Sequence, residues 1–156
     1  MREILAFLGS IGLPYRTGAV NGKTFVPGIQ IESGVLVIDP AQLLYPGDLL
    51  HEAGHLALME PARRAATSGD AGSDGGEEIG AIAWSYAAAL HIGIDPRIVF
   101  HDAGYRGNSV TIVENFRAGL YIGVPMLQWK GLALDERRAR DLGLPPYPYM
   151  LRWLCE

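Results

Sequence analysis

Residues 47 to 56 read Gly47-Asp48-Leu49-Leu50-His51-Glu52-Ala53-Gly54-His55-Leu56. Apolar residues on nearly every face predict a buried helix from about Leu49 to Met59. Residues four apart lie one turn apart on a helix, so His51 and His55 would point at one place with Glu52 beside them. Two such imidazoles can hold a zinc ion, and a third protein ligand leaves an open position for water. The segment predicts a metal centre in which Glu52 takes a proton from that water.

The same segment has an alternative interpretation without a metal. In it, His51 and His55 are ordinary hydrogen-bonded core histidines. Glu52 then forms an ion pair with Arg63 or Arg64. Each polar side chain would need a separate partner, because an unpaired polar group in a core costs several kcal/mol. A shared metal ion satisfies all three side chains at once, so the pattern favours the metal site.

The third ligand has to come from outside this helix. The metzincin pattern would place glycine and histidine where this chain has Leu58 and Pro61. The next acidic candidates are Glu77 and Glu78, at the start of a second apolar helix predicted from about Glu77 to His91. A carboxylate at the start of that helix can lie against the first helix, and either glutamate could serve.

The remaining patterns predict one α+β domain spanning residues 1 to 156. Apolar residues at helical spacing from Ile4 to Ile11 predict an N-terminal amphipathic helix. The runs Ile29-Gln30-Ile31-Glu32 and Val35-Leu36-Val37-Ile38, separated by Ser33-Gly34, predict a hairpin. We expect a small antiparallel sheet packed on the motif helix, with two or three further helices.

Three later segments complete this expectation. Small and polar residues dominate from Pro61 to Gly76 and predict a flexible loop at about 61 to 76. A third helix is predicted from Asn108 or Ser109 to about Tyr121. The tail from Leu142 to Cys155 is rich in Pro, Tyr and Trp, and we expect it to pack over the core, because a small domain needs that buried area.

Composition argues against several classes of protein. A chain of 156 residues, 49% hydrophobic and 19% charged, suits one globular core. Thirteen Lys and Arg against 17 Asp and Glu give a net charge of -4, which leaves no basic excess for nucleic acid or an anionic membrane. No apolar run is long enough to cross a bilayer. The single cysteine, Cys155, excludes an intrachain disulfide, and we expect a reducing, cytoplasmic location.

Residues 47 to 56 resemble the active-site helix of zincin metallopeptidases, and the later glutamate resembles the gluzincin branch. The segment Glu78-Ile79-Gly80-Ala81-Ile82-Ala83-Trp84 is similar to the ImmA/IrrE-type minimal zincins. Of the two glutamates, Glu78 is favoured because it lies deeper in its helix. The chain lacks the Asn or Asp that often follows this ligand in those families. The resemblance implies three zinc ligands and a general base: His51, His55 and Glu78 as ligands and Glu52 as base.

The same resemblance implies a zinc-dependent hydrolase, most simply a metallopeptidase acting on a peptide or protein substrate. The alternative is a regulatory or interaction module that binds zinc without hydrolysing anything. Its site would be closed by a fourth protein ligand such as His101 or His91. A third hypothesis is a structural domain without metal. Two imidazoles and a carboxylate favour Zn²⁺, although Mn, Fe, Co and Ni accept the same ligands.

A hydrolase must also hold its substrate and stabilise its transition state. The stretch from Thr24 to Glu32 is the expected sheet edge, where a peptide can add as a further strand. The polar, glycine-flanked loop from His101 to Gly107 is the expected source of a hydrogen-bond donor near the metal. By residue type, the candidate donors are Tyr86, His91, His101, Tyr105 and Arg106.

Overall fold

The computed structural model describes residues 1–20, 22, 24–69, 71 and 74–156, apart from the side chain of Arg106. These residues form seven α-helices, three strands and two 3₁₀ turns, so the α+β class is confirmed with more helices than expected. The helices are α1 (Arg2–Ser10), α2 (Asp48–Leu58), α3 (Pro61–Ala66), α4 (Gly75–His91), α5 (Ser109–Arg117), α6 (Val124–Trp129) and α7 (Glu136–Leu142). The strands are β1 (Tyr15–Thr17), β2 (Ile29–Glu32) and β3 (Val35–Ile38), and the 3₁₀ turns are Pro96–Ile98 and Tyr105–Gly107. None of the helices in the described part of the chain combines the length and apolar character of a membrane span.

The sheet is mixed, whereas we expected an antiparallel one. Its strand order is β1-β3-β2, and β2 pairs antiparallel with β3 through the predicted hairpin. Ser33 and Gly34 both have positive φ, 49° and 78°, as a two-residue type I′ turn requires. Strand β1 runs parallel to β3 on the other side. All three residues of β1 are exposed, so no alternating apolar pattern marks it in the sequence.

Helices α2 and α4 form the centre of the molecule. Every residue of α4 from Gly80 to Ala89 is buried. A methyl group placed on Gly54 of α2 would stand 3.0 Å from the main-chain oxygen of Ala81 in α4. The absence of a side chain at Gly54 therefore lets the two helix backbones approach closely. This approach sets the first turn of α4 beside the face of α2 that carries His51 and His55.

The N-terminal helix and the aromatic tail pack on this helix pair. The apolar face of α1 is buried, as predicted. The Trp84 indole N–H donates to the main-chain oxygen of Trp153 at 2.9 Å, and the Tyr147 hydroxyl donates to that of Ala83 at 2.9 Å. The tail therefore covers the core, which confirms the expectation for it.

The segment predicted as a loop at 61 to 76 is partly helical. Its first six residues form α3, which begins with a proline that has no N–H to leave unpaired. No residue of α3 is buried, so the helix leaves no apolar periodicity in the sequence. The loop prediction is therefore wrong for α3. Asp70, Gly72 and Ser73, in the middle of the predicted loop, lie outside the described residues.

Candidate metal centre

Helices α2 and α4 bring two histidines and a glutamate to one point. His51 and His55 lie one turn apart on α2, and Glu78 lies in the first turn of α4. His51 Nε2 is 3.4 Å from Glu78 Oε1, and His55 Nε2 is 3.2 Å from Glu78 Oε2. The two Nε2 atoms are 3.2 Å apart. One ligand atom from each of the three residues lies within 4.8 Å of the others, which is the convergence that a shared metal ion requires.

The start of α4 explains why Glu78 reaches this point. The Asp74 carboxylate accepts hydrogen bonds from the backbone N–H groups of Gly76 at 2.8 Å and Glu77 at 3.0 Å. This N-cap fixes the residue at which the helix begins. The Glu78 N–H in turn donates to the main-chain oxygen of Asp74 at 2.9 Å. The cap therefore sets which side chains of the first turn face α2.

Glu77, the other candidate ligand, binds a different partner. The guanidinium of Arg63, on α3, forms two hydrogen bonds with the Glu77 carboxylate, one of them 2.8 Å long between Nη2 and Oε2. This pair lowers the pKa of Glu77. The geometry therefore selects Glu78 over Glu77 as the residue that joins the two histidines.

Hydrogen bonding within the cluster shifts the pKa values of its members in opposite directions. Hydrogen bonds to His51 and His55 hold the pKa of Glu78 well below its usual range. Burial alone would lower the pKa of His55, but the hydrogen bond to Glu78 and the charges of the glutamates at 52, 78 and 77 raise it. The two imidazoles are 14% and 7% exposed, whereas the Glu78 side chain is 44% exposed. The donor set of two imidazole nitrogens and a carboxylate could hold a divalent metal ion.

Arg63 and Arg64 are the two arginines expected to pair with Glu52 in the metal-free interpretation, and both have other partners. Arg63 binds Glu77. Arg64 donates to three main-chain oxygens at 2.7 to 2.9 Å, those of Leu56, Met59 and Cys155. Glu52 is half-buried on α2, and its negative charge acts on His55. Glu52 therefore lies near the converging side chains, as a base for that site must.

The two histidines that could close the site as a fourth ligand are held elsewhere. His101 Nε2 lies 2.8 Å from Asp48 Oδ1, and its ring stacks on Tyr45 with centroids 3.8 Å apart. The His91 ring packs against Trp153, with centroids 5.1 Å apart. Among the described residues, the group that could hold a metal ion consists of three side chains, and neither of these histidines belongs to it.

Asp48 was not among the predicted site residues, although it lies on the motif helix α2. Asp48 stands at the start of α2, three residues before His51, so both lie on one helix face, and this spacing was a usable signal. Burial raises the pKa of Asp48, and the hydrogen bond to His101 opposes that shift. An acidic side chain and its histidine partner therefore stand at the N-terminal end of the candidate centre.

The candidate hydrogen-bond donors for the transition state lie in different parts of the structure. The Tyr86 ring packs against Phe116, with centroids 4.7 Å apart, inside the core. The Tyr105 ring lies edge-on to the imidazole of His51, with centroids 5.5 Å apart. The side chain of Arg106 lies outside the described residues. Of the candidates whose side chains are described, Tyr105 is the one whose ring packs directly on a proposed ligand.

Strand β2 lies at the edge of the sheet, as predicted, but part of that edge is occupied. The Gly69 N–H donates to the main-chain oxygen of Ile31 at 2.8 Å. A hydrogen bond to a side chain also holds the turn after β2: the Ser33 N–H donates to Ser68 Oγ at 2.8 Å. A peptide that adds along β2 would have to replace the Gly69 contact at Ile31.

Comparisons with protein-family models, with curated proteins and with solved structures gave no match. The geometry of the site and the resemblance of its motif are therefore the two observations that indicate a function. Both involve the same four residues, His51, Glu52, His55 and Glu78.

Proposed function

We propose that this protein is a zinc-dependent hydrolase of the zincin type that cleaves peptide bonds. The main observation in support is that His51, His55 and Glu78 converge on one point without a fourth protein ligand among the described residues. Catalytic zinc sites have three protein ligands and an open position, whereas structural sites are closed by four. The group of three side chains supports the first arrangement.

Each residue of the site has a defined part in this proposal. His51, His55 and Glu78 hold the ion, which when bound supplies Lewis-acid activation of water. The Glu52 carboxylate accepts the proton released at that point and passes it to the leaving amine. The hydrogen bond between Asp48 and His101 orders the N-terminal end of the site. The choice of a peptide bond follows from the resemblance of residues 47 to 90 to metallopeptidases.

A second candidate function is a zinc-binding module that hydrolyses nothing. The contact of Gly69 with Ile31 favours it, because this contact occupies the edge that a peptide substrate would use. The two functions share a metal site and differ in turnover.

Metal content and turnover, measured together, distinguish these functions. Protein purified without added metal, as wild type and as His51→Ala, is analysed for zinc, and wild type and Glu52→Gln are tested on a fluorescently labelled, unfolded protein. We expect about one zinc per wild-type chain, loss of zinc in His51→Ala, and zinc without turnover in Glu52→Gln. Zinc without turnover in the wild type supports the binding module. A wild type that stays metal-free after zinc addition refutes both functions.

A further inference from the structure

Residues 67–69, which we call the strap, lie along the outer edge of strand β2. Ile31 and Gly69 form an antiparallel bridge, in which the Gly69 N–H donates to the main-chain oxygen of Ile31 at 2.8 Å. In the turn that follows β2, the Gly34 N–H donates to the main-chain oxygen of Thr67 at 2.9 Å. The strap therefore makes the kind of main-chain contact that an added peptide strand makes at the edge of a sheet.

The end of the strap is held by hydrogen bonds and not by apolar burial. Ser68 and Gly69 are both exposed, and helix α3, which precedes the strap, buries no residue. The bond from the Ser33 N–H to Ser68 Oγ is also exposed, so water can replace it at little cost. Segments with few buried apolar contacts open at a small part of the free energy of global unfolding. Ser68 and Gly69 can therefore leave the edge of β2 while the core stays folded.

The chain on either side of the strap is fixed. Ala71 is 5% exposed and belongs to the hydrophobic core. Thr67 Oγ1 donates to the main-chain oxygen of Arg63 at 2.8 Å, and Arg63 in turn binds Glu77 at the start of α4. The strap therefore belongs to the segment that leads from the edge of β2 to the helix of the third proposed metal ligand.

We propose that the strap is an autoinhibitory contact, which occupies the edge of β2 and must be displaced by an extended peptide that binds there. This inference rests on the proposed hydrolase function, and it specifies the substrate as an extended, unfolded segment of polypeptide. Only such a segment has the free main-chain groups that can replace Gly69 at Ile31. The affinity for the peptide is then reduced in proportion to the fraction of molecules in which the strap is open.

Gly69→Ala weakens the strap through backbone strain alone. Gly69 has φ of 84°, which a residue with a side chain rarely adopts, and a methyl group there meets no atom within 4 Å among the described residues. Gly119→Ala is the matched control, because Gly119 has φ of 79° and equally open surroundings but follows α5 and is no part of the strap. Ser68→Ala is a second strap variant, which removes the acceptor of the Ser33 N–H.

The three variants are compared in the Glu52→Gln background, loaded with zinc, so that binding is measured without turnover. Fluorescence anisotropy of the labelled unfolded protein gives the affinity for an extended chain. Titration with acetohydroxamic acid, a small zinc ligand, gives the affinity of the metal centre itself. Hydrogen exchange measured by NMR follows the Gly69 amide in the free and the bound protein.

We expect Gly69→Ala to bind the labelled unfolded protein about five- to thirtyfold more tightly than the parent Glu52→Gln protein, which is the shift that a strained alanine produces. Ser68→Ala should bind it about two- to tenfold more tightly. Gly119→Ala should bind it like the parent, even though its Tm falls by at least as much as that of Gly69→Ala. The acetohydroxamate affinity should be the same in all four proteins.

The Gly69 amide should exchange faster when the labelled unfolded protein is bound, because its hydrogen bond to Ile31 is lost. A slower or unchanged exchange would show that the bound chain lies elsewhere and would overturn the inference. Binding by Gly69→Ala that is no tighter than binding by Gly119→Ala would also overturn it, since the strap would then be a permanent closure of the sheet edge.

A parallel change in acetohydroxamate affinity would place the effect at the metal centre and would likewise refute the strap. A wild type that binds no zinc, or that binds zinc without turnover, refutes the proposed hydrolase instead. The anisotropy and exchange measurements on the metal-free protein still decide whether a peptide displaces the strap. The two failures are therefore distinguishable.

Discussion

Glu77 and Glu78 are consecutive in the chain, yet Arg63 binds the carboxylate of Glu77 while Glu78 Oε2 lies 3.2 Å from His55 Nε2. The first glutamate links α4 to α3, and the second links α4 to α2. Two chemically identical side chains at the start of one helix therefore have separable roles, which substitution can test.

Glu78→Gln should abolish tight metal binding, and Glu77→Gln should not. Removing the charge of a ligand should cost more than the roughly 10- to 100-fold loss of metal affinity seen when an outer-shell partner is removed. Glu77→Gln breaks a pair whose arginine is 48% exposed, so the free energy of unfolding should fall by less than about 1 kcal/mol. Zinc titration and urea unfolding of both variants measure these effects. Equal loss of zinc in the two variants would show that the ligand assignment is wrong.

The close approach of α2 and α4 predicts a second effect. A methyl group on Gly54 would stand 3.0 to 3.3 Å from three atoms of Ala81, two of them backbone atoms. Gly54→Ala gains up to about 1 kcal/mol of helix propensity but overpacks the helix contact, at a cost of about 1–3 kcal/mol. We expect a net loss of stability and weaker zinc binding, because α4 also carries Glu78.

Gly75→Ala is the matched control for that substitution. Gly75 is the first residue of α4, and a methyl group there meets no atom within 4 Å among the described residues. It should leave zinc affinity unchanged and raise the free energy of unfolding by up to about 1 kcal/mol. Stabilisation by both substitutions in urea unfolding would contradict the packing argument.

The parts of the fold that the sequence predicts are those with buried periodic patterns. The hairpin of β2 and β3 alternates or is wholly apolar, and α2 and α4 are apolar on most faces. Strand β1 and helix α3 bury none of their residues, so hydrophobic periodicity does not reveal them. The parallel pairing of β1 with β3 depends on the chain's path after α1, which local pattern does not encode.

The sequence also predicts the candidate site only in part. Helical spacing alone places His51 beside His55. The choice between Glu77 and Glu78 depends on Asp74, which fixes the helix start, and on an arginine that the chain brings to Glu77 from α3. The Tyr105 hydroxyl, which has no hydrogen-bond partner within the described part of the chain, is buried only in the assembled structure and has no local signature in the sequence.

A third prediction concerns Arg64, which binds main-chain groups at the C-terminal end of the motif helix α2. Its guanidinium donates to the main-chain oxygens of Leu56, Met59 and Cys155, all three in buried residues. A lysine ammonium cannot reproduce this fork. Arg64→Lys should therefore leave buried carbonyl groups unsatisfied and lower the free energy of unfolding by about 1–3 kcal/mol.

Arg63→Lys is the control, because Arg63 contributes one partly exposed ion pair. It should cost less than about 1 kcal/mol in urea unfolding. Neither substitution touches a proposed ligand, so zinc content at a temperature well below Tm should stay the same. Equal destabilisation by the two lysine variants would mean that the Arg64 fork does not anchor the helix end.

The raised pKa of His55 predicts opposite pH dependence for the metal-free and zinc-loaded proteins. The folded metal-free protein favours protonated His55 because Glu78 and the neighbouring glutamate charges outweigh the effect of burial. That stabilisation is fully present below the ordinary histidine pKa of 6.5 and is lost as pH rises through the raised value. Zinc binds only the neutral imidazole, so zinc affinity should increase over the same range.

Urea unfolding in the presence of a chelator, from about pH 6 to about pH 8, tests the metal-free protein, and zinc titration over the same range tests the loaded one. Glu78→Gln is the control, because it removes one of the charges that raise the pKa of His55 and leaves at most a neutral amide acceptor in place of the carboxylate. The lowered pKa of Glu78 affects the free energy of unfolding only in acid. Its stabilising effect is fully present above the ordinary glutamate pKa of 4.5 and is lost as the pH falls further. The decline in stability with rising pH should therefore be smaller in Glu78→Gln. A decline of the same size in both proteins would place its origin outside the His55–Glu78 contact.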